Sequence, residues 1–251
     1  MRAIWMFALL LLSVPVHAAD APAWKLTVLN AMERIRQHEA PFGAPAAELE
    51  AARNEVESFQ VVVAALKGNL QVVGVDVSEL TGPQGAKIGR DNIRLFREEY
   101  VRVRLPTPGA ELPPGLYPDP LVPFINPVTG KPIEPLSQHQ ARWGEPMVKS
   151  GYDMYAVPFD VYQGQNQAVW IDVRVPKDAA AGEYRGSLRV KAKGQSPAEV
   201  PVRLIVWDFT LPDGPTHCNH FGSVSNAAHW FNVKRGSEES RLIEMRYCQA
   251  L

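Results

Sequence analysis

Apolar residues recur at every second position through most of the chain between residues 24 and 207. Residues 169–175 show this clearly, because Trp170, Asp172 and Arg174 alternate there with branched apolar residues. Such alternation predicts a strand with one face on a core and the other toward solvent. Residues 59–64 are apolar on both faces in their middle, which predicts a central strand. Helical periodicity is absent from this region.

Further β-rich runs complete the pattern. Residues 71–77 and 93–103 are rich in β-branched and aromatic side chains. The alternating runs 188–192 and 200–206 flank a polar loop at 193–197 and predict a hairpin. Together these spacings predict an all-β, antiparallel, immunoglobulin-like β-sandwich of roughly eight or more strands.

A proline-rich segment interrupts these strands. Eleven of the 22 prolines fall between Pro106 and Pro146, and proline lacks the N–H that a strand ladder needs. We therefore expect a long loop there and not a strand. Its aromatic content predicts docking, either as a cover on the sandwich's own face or as an interface with a second domain. Tyr117, Asp119 and Trp143 are the candidate interdomain contacts.

The sequence pattern changes after residue 212. Residues 212–215 form a turn-rich linker, residues 216–221 are typical of a short strand, and Ser237 can cap a helix. A single strand and helix bury neither of their faces. We therefore expect a sandwich domain over 19–212 and the first βα unit of a (β/α) barrel over 213–251, in a chain truncated before the rest of that barrel.

The first residues have the features of a signal peptide. Arg2 precedes an apolar run at 4–14, and Val16 and Ala18 are small residues at the positions that a signal peptidase reads. The run is about half of the ~20 residues that a membrane span requires. We expect residues 1–18 to be removed, no membrane span, and export to the periplasm or the exterior.

Composition narrows the partners. Across 251 residues, 26 Lys and Arg balance 27 Asp and Glu, for a formal net charge of −1. No basic run is interleaved with aromatic residues. Nucleic acid and anionic membranes are therefore poor partners.

The cysteines and histidines near the end of the chain suggest little chemistry. Cys218 and Cys248 could form a disulfide, but nothing in their spacing requires one, and two buried free thiols are the favoured state. His217, Cys218 and His220 would alternate between the faces of a strand, and no second ligand pair follows. We expect no metal and no cofactor.

The sandwich offers weak candidates for catalysis. Glu55 and Glu57 would share one face of a strand beside Arg53, as in a salt-bridged surface, and a turn explains Asp119. No catalytic residue is assigned. Trp170 could stack on a sugar if exposed, or lie buried under the proline-rich segment. Strongly shifted carboxyls in a pocket within residues 24–212 would instead indicate an enzyme.

Five ordered motifs over roughly residues 24–221 carry a resemblance to a known family. They are Ala-Ala-Arg-Asn-Glu-x-Glu-Ser-Phe-Gln at 51–60, Gly-x-Tyr-Pro-Asp-Pro-Leu at 115–121, Asn-Gln-x-x-Trp at 166–170, Val-Pro-x-x-Ala-x-Ala-Gly-Glu-Tyr-x-Gly at 175–186, and Val-Trp-Asp-Phe-x-Leu-Pro at 206–212. In this order they resemble the N-terminal β-sandwich of glycoside hydrolase family 123-like proteins.

The resemblance implies a layout for the parent protein. In that family the sandwich precedes a (β/α) barrel whose adjacent Asp and Glu cleave a β-linked N-acetylgalactosaminide with help from the substrate's acetamido group. Those carboxylates are not in this chain. The predicted strand at 216–221 would be the first of the barrel, which makes Asn219 and His220 candidate sugar contacts.

Two functional hypotheses follow. The chain is either a non-catalytic accessory domain of a secreted glycoside hydrolase, packed against a C-terminal barrel that binds the carbohydrate substrate, or a stand-alone carbohydrate- or protein-binding module. The first predicts an exposed apolar patch on the segment from Pro106 to Pro146. The second predicts solvent-facing aromatics such as Trp143 and Trp170.

Overall fold

Two β-sheets stack face to face around an apolar core. The computed structural model describes residues 22–105, 107–110, 112–125, 130–132, 156–214 and 233–250. Side chains from both sheets contribute to one cluster of buried hydrophobic residues. The prediction of an all-β sandwich is confirmed.

The strands divide between a five-stranded and a seven-stranded sheet. The five-stranded sheet has the order β1 (Trp24–Asn30), β3 (Val56–Ala65), β10 (Asn166–Arg174), β7 (Ile93–Val103), β8 (Gly115–Pro123). The seven-stranded sheet has the order β2 (Ala47–Arg53), β12 (Ala198–Thr210), β11 (Gly182–Lys191), β4 (Leu70–Val77), β9 (Phe159–Val161), with β5 (Leu80–Thr81) pairing β11 and β6 (Lys87–Ile88). Short 3-10 turns occupy Pro83–Gly85 and Arg90–Asn92.

The alternation pattern predicted several strands correctly. In β10, Val169, Ile171 and Val173 are at most 1% exposed and face the core. The predicted run 93–103 coincides with β7. The predicted hairpin is formed by β11 and β12, which pair antiparallel.

The outer face of β3 is buried for a different reason from its inner face. The connection between β1 and β2 crosses this outer face, and Ile35 packs there with Leu29, Val62 and Ala168 in a small second core. Asn166 on β10 anchors the connection by donating from Nδ2 to the Glu39 carbonyl at 2.6 Å. This cover explains why consecutive residues of the strand are apolar.

The expectation that the proline-rich segment contains no strand is wrong. Residues 115–123 form β8, which pairs antiparallel with β7. Pro118 lies opposite Tyr100, and Pro123 lies opposite Phe96. Because β8 is the last strand of its sheet, only one of its edges needs donors, and an edge strand tolerates residues that lack an N–H.

The expectation of a wholly antiparallel sandwich is also wrong at one pair. Strands β2 and β12 run parallel, with Ala47 opposite Val202 and Ala51 opposite Val206. A tight turn cannot join parallel strands. Here the strands that lie between β2 and β12 in the sequence form the long connection that a parallel pair needs. The chain leaves β2 for the other sheet at Asn54, whose φ of 66° lies in the left-handed region.

The last described segment is the helix α1 (Glu238–Ala250). Ser237 caps it as predicted, because the Ser240 backbone N–H donates to Ser237 Oγ at 3.2 Å. Cys248 is an exposed free thiol, so the expected burial of this residue is wrong, since nothing in the described part of the chain covers that face of α1. Within the described ranges no helix combines the length and apolarity of a membrane span.

Several predictions fall outside the described residues. They concern the signal peptide at 1–18, the strand at 216–221 and the burial of Cys218. The (β/α) barrel and the two domain boundaries remain predictions.

Candidate functional site

Three of the predicted site residues lie in described segments. Trp170 is on β10, and Tyr117 and Asp119 are on β8. Trp143, Asn219 and His220 lie outside the described residues. The fold brings Trp170 and Asp119 to one pocket.

This pocket lies on the outer face of the five-stranded sheet and has a volume of about 210 Å³. Its walls come from four strands and from the connection between β1 and β2. We call it the outer-face pocket; it is lined by Ala31, Glu33, Arg34, Gln60, Glu98, Pro118, Asp119, Leu121 and Trp170. Strand register explains the assembly, because Gln60 lies opposite Trp170 and Glu98 lies opposite Leu121.

Glu98 is the most perturbed carboxyl in this pocket. Its side chain is 4% exposed, and its Oε1 has no hydrogen-bond partner among the described residues. Burial raises the pKa of Glu98 to about 7, and the nearby positive charge of Arg34 only partly opposes this rise. Near neutral pH the group therefore exists in both protonation states.

Gln60 presents a second buried acceptor to the same pocket. Its side chain is 1% exposed. The amide nitrogen donates to the Asn30 carbonyl at 2.9 Å and to the Glu33 carbonyl at 2.8 Å. These bonds fix which end of the amide is nitrogen, and they leave Gln60 Oε1 without a described donor.

Trp170 is half-buried, between the exposed and the buried state that the sequence left open, and its role as a sugar contact stays a prediction. Its indole Nε1 donates to Asp172 Oδ1 at 2.6 Å, and the same oxygen accepts from Ser58 Oγ at 2.7 Å. This network holds the indole in one orientation. The side chain forms part of the pocket wall.

A bulge in β8 places Asp119 at the pocket. Glu98 pairs with Leu121 and Tyr100 pairs with Pro118, so three steps on β8 oppose two on β7. A bulge redirects side chains locally, and Asp119 is exposed here. Tyr117 lines a neighbouring depression, and its hydroxyl donates to the Pro113 carbonyl.

A second feature lies where the chain leaves the sandwich. Arg53 pairs with Asp208 and donates from Nε to the Ala179 carbonyl at 2.9 Å. The Leu211 N–H donates to the Arg53 carbonyl at 2.9 Å, and Asn54 Nδ2 donates to the Leu211 carbonyl at 3.1 Å. We call Arg53, Asn54, Asp208 and Leu211 the exit clamp.

An exposed apolar strip lies beside the exit clamp. Trp207 is 41% exposed and Phe209 is 49% exposed, and their rings stack at a centroid distance of 5.7 Å. Leu211 continues the alternation and is also exposed. In the described part of the proline-rich segment, Leu112 and Ile125 are exposed; the apolar patch expected on this segment stays a prediction.

The expected glutamate surface beside Arg53 differs from the prediction. Glu55 lies in the turn after β2, and its Oε2 accepts from the Ala52 N–H at 2.7 Å. Arg53 reaches Asp208 and not these glutamates. Burial, and secondarily the charge of Glu55, raises the pKa of Glu57. Glu55 therefore stabilises the turn between the two sheets, and no salt-bridged surface of Arg53 with these glutamates is present among the described residues.

Sequence reasoning missed Glu98, Gln60 and Arg34. A signal for Glu98 was present in residues 93–103, because the even positions place it between Phe96 and Tyr100 on one strand face. A carboxyl between two aromatic residues on one face does not fit a solvated surface. Arg34 carried no such signal, since it lies in an irregular connection.

These features define a two-sheet β-sandwich with a buried polar pocket and an ordered exit. Residues 122–192 match the family model of the glycoside hydrolase 123 N-terminal domain. The resemblance stated from the motifs is thus confirmed: this sandwich is similar to the N-terminal domain of family 123 glycoside hydrolases.

A solved structure shows the same fold. A family 123 glycoside hydrolase from Clostridium perfringens, described in connection with glycolipid glycan hydrolysis, superposes with a TM-score of 0.56 at 12% identity. The match covers 76% of this chain and 28% of that enzyme. The sporulation control protein Spo0M from Bacillus subtilis matches over 74% of this chain and 50% of its own, at 8% identity and a TM-score of 0.30. The second likeness is too slight to carry an argument. No curated protein matches the sequence significantly.

Proposed function

We propose that this chain is the non-catalytic N-terminal accessory domain of an exported glycoside hydrolase-like protein. Its role is to hold a downstream catalytic domain, a (β/α) barrel with β-N-acetylgalactosaminidase-like activity, in a fixed orientation. The carbohydrate substrate binds to that barrel.

The exit clamp is the observation that carries this proposal. A connection between independent modules needs no ordered contacts and is commonly flexible. Here Arg53 and Asn54 bind the last strand and the residue after it through side-chain and backbone contacts. Lys177 adds an ion pair with Asp213 in the linker itself. An ordered exit is what a domain needs in order to orient its neighbour.

The environment of Glu98 supports a non-catalytic role. Glycoside hydrolysis typically uses two carboxyls that flank the scissile bond in an open cleft. Glu98 has the raised pKa of a general acid, but one carboxyl with a raised pKa meets only half of that requirement. A raised pKa alone therefore does not make this sandwich an enzyme.

The reading frame after the codon for Leu251 tests the proposal. We expect it to continue for the roughly 200 or more residues of a barrel and to encode an adjacent Asp-Glu pair. A stop codon directly after Leu251 would contradict the accessory role.

A chromogenic β-N-acetylgalactosaminide provides the second test. We expect the longer protein to hydrolyse it and the 251-residue chain to leave it intact. Turnover by the 251-residue chain that Glu98→Gln abolishes would contradict the non-catalytic assignment. Export is tested separately, by fractionating cells and probing for a mature chain that begins near Ala19.

The apolar strip favours a second candidate, the stand-alone binding module. Exposed, stacked aromatic side chains such as Trp207 and Phe209 can bind sugars or a protein partner. In the accessory domain the strip would be covered by the downstream domain. Tryptophan fluorescence with a soluble quencher distinguishes the two cases. In the 251-residue chain, Trp207→Phe should remove a signal that the quencher reaches. In the longer protein of the accessory-domain proposal, the same substitution should remove a signal that is shielded from the quencher.

A further inference from the structure

The outer-face pocket contains two buried oxygen acceptors that the described protein does not satisfy. Gln60 is 1% exposed and Glu98 is 4% exposed, and Oε1 of each side chain has no described hydrogen-bond donor. Native proteins rarely leave buried acceptors unpaired, because desolvation without a compensating bond is costly. Two such atoms in one pocket point to a bound molecule that supplies donors.

Local packing fixes these acceptors. The amide of Gln60 is held by two backbone carbonyls, so rotating its oxygen away would break both bonds. On the opposite strand, Asp172 holds the Trp170 indole. The pocket is therefore built before a ligand arrives, and its groups lose little freedom on binding.

The lining defines the chemistry of the ligand. Gln60 and Glu98 require donors, whereas the Arg34 guanidinium offers donors to an acceptor. Trp170 and Leu121 contribute apolar surface. A molecule with several hydroxyl groups on a carbon ring satisfies all three demands, since each hydroxyl both donates and accepts and the ring's C–H groups can contact an indole.

The donor set and the size of the pocket exclude two other ligand classes. The described residues contain no group of three metal-ligating side chains, so the pocket does not offer a cation cage. Glu33, Glu98 and Asp119 line the pocket together with Arg34, so charge does not exclude an ammonium group, and the test below includes one. A volume of about 210 Å³ is below the ~300–1,000 Å³ of drug-sized sites, and this suits one ring and not an extended chain.

We propose that the outer-face pocket binds a single neutral sugar ring, whose hydroxyl groups donate to Gln60 Oε1 and Glu98 and whose carbon face contacts Trp170. This inference rests on the proposed function only for the choice of sugars. It adds a glycan contact to the sandwich itself.

Saturation-transfer NMR on the 251-residue protein tests the proposal with the neutral sugars galactose, N-acetylgalactosamine and glucose as probes and with glucosamine, which carries an ammonium group, for comparison. We expect at least one of the neutral sugars to receive signal. Ala31→Phe fills the pocket without deleting a polar contact and should weaken binding at least tenfold. Ala180→Phe makes the same change at an exposed residue outside the pocket and should bind as the unsubstituted protein does. Glu98→Gln keeps the side-chain shape and should weaken binding severalfold.

Three outcomes would overturn the inference. The first is an absence of transfer to all three neutral sugars, which would leave water as the occupant. The second is undiminished binding in Ala31→Phe, which would place the sugar elsewhere, for example on Trp207 and Phe209. The third is transfer to glucosamine, which carries an ammonium group, without transfer to the neutral sugars. None of these results bears on the reading frame after Leu251, so the proposed function is judged independently.

Discussion

The two faces of the five-stranded sheet are built by the same strands and bury very different groups. On the inner face, Phe59, Val169 and Ile171 meet the opposite sheet and are at most 1% exposed. On the outer face of the same strands, Gln60 and Glu98 are nearly as buried but keep unpaired oxygens. Burial of apolar side chains on the inner face stabilises the fold. Burial of unpaired polar atoms on the outer face destabilises it, and these atoms form a polar pocket. The lesson is that depth of burial alone does not distinguish a core from a site.

The largest effect should follow from truncation on the inner face. Ile171→Ala removes three side-chain carbons from a fully buried position, and we expect the free energy of unfolding to fall by about 2–5 kcal/mol. Leu121→Ala on the outer face removes a side chain that is 40% exposed and should cost about 1 kcal/mol or less. Urea unfolding of both variants measures the contrast. Equal losses would show that the two faces are energetically alike.

The second effect concerns the pH dependence of stability. The pKa of Glu98 is raised from 4.5 to about 7 in the folded protein, so the folded state binds this proton more tightly than the unfolded state. Tighter proton binding by Glu98 stabilises the folded state by about 3 kcal/mol below pH 4.5, and this contribution is lost as the pH rises to 7. Glu98→Gln should remove this decline, so the variant should gain stability relative to the unsubstituted protein as the pH rises.

Urea unfolding from pH 4 to pH 8 measures that difference. Arg34, Glu33 and Asp119 share the pocket with Glu98 and are present in both proteins, so the subtraction reports the effect of Glu98. Glu50→Gln, at an exposed position on β2, is the matched control and should leave the curve unchanged. A decline that persists in Glu98→Gln would mean that another group causes it.

A third, smaller effect is expected at the exit clamp, where the polar contacts are exposed. Asn54 has a φ of 66° and donates to the Leu211 carbonyl. Asn54→Ala keeps an unfavourable left-handed backbone and loses the bond, for a cost of about 1–2 kcal/mol. Asn54→Gly relieves the backbone and should cost less. Hydrogen exchange at the Leu211 amide reports whether the exit itself loosens; equal stability of the two variants would contradict a role for the backbone conformation.

The smallest effect should come from Asp208→Asn. Asp208 pairs with Arg53 but is 84% exposed, and solvent-exposed ion pairs contribute at most about 1 kcal/mol. Chemical denaturation at low salt should show a small loss of stability in Asp208→Asn relative to the unsubstituted protein. At about 1 M salt, where screening is strong, this loss should disappear. A large, salt-independent loss would indicate that the clamp is part of the core.

Periodicity predicted the strands that have one side in the core and the other in solvent. It failed to predict features that depend on the neighbouring strands. Strand β7 and the hairpin of β11 and β12 follow directly from alternation. Strand β8 was missed because proline content forbids a central strand but not an edge strand, and a strand's place in a sheet depends on its partners. The parallel pairing of β2 likewise depends on contacts across most of the chain.

The site was predictable only in part. Trp170 and Asp119 were singled out individually, but their meeting depends on the bulge in β8 and on the order of four strands. Gln60 was visible only as a member of a motif. Its role arises because the connection after β1 folds over the sheet and supplies the two carbonyls that orient its amide.

By itself, the sequence determined the fold class, the family resemblance and most strand positions, because alternation and turn residues act over a few neighbours along the chain. Tertiary structure decided which polar residues became buried, which strand lay at an edge and where the chain left the sandwich. Burial and pKa depend on residues far apart in sequence, such as Glu98 and Arg34. Local pattern cannot encode that proximity, since it exists only once both sheets and their connections have packed.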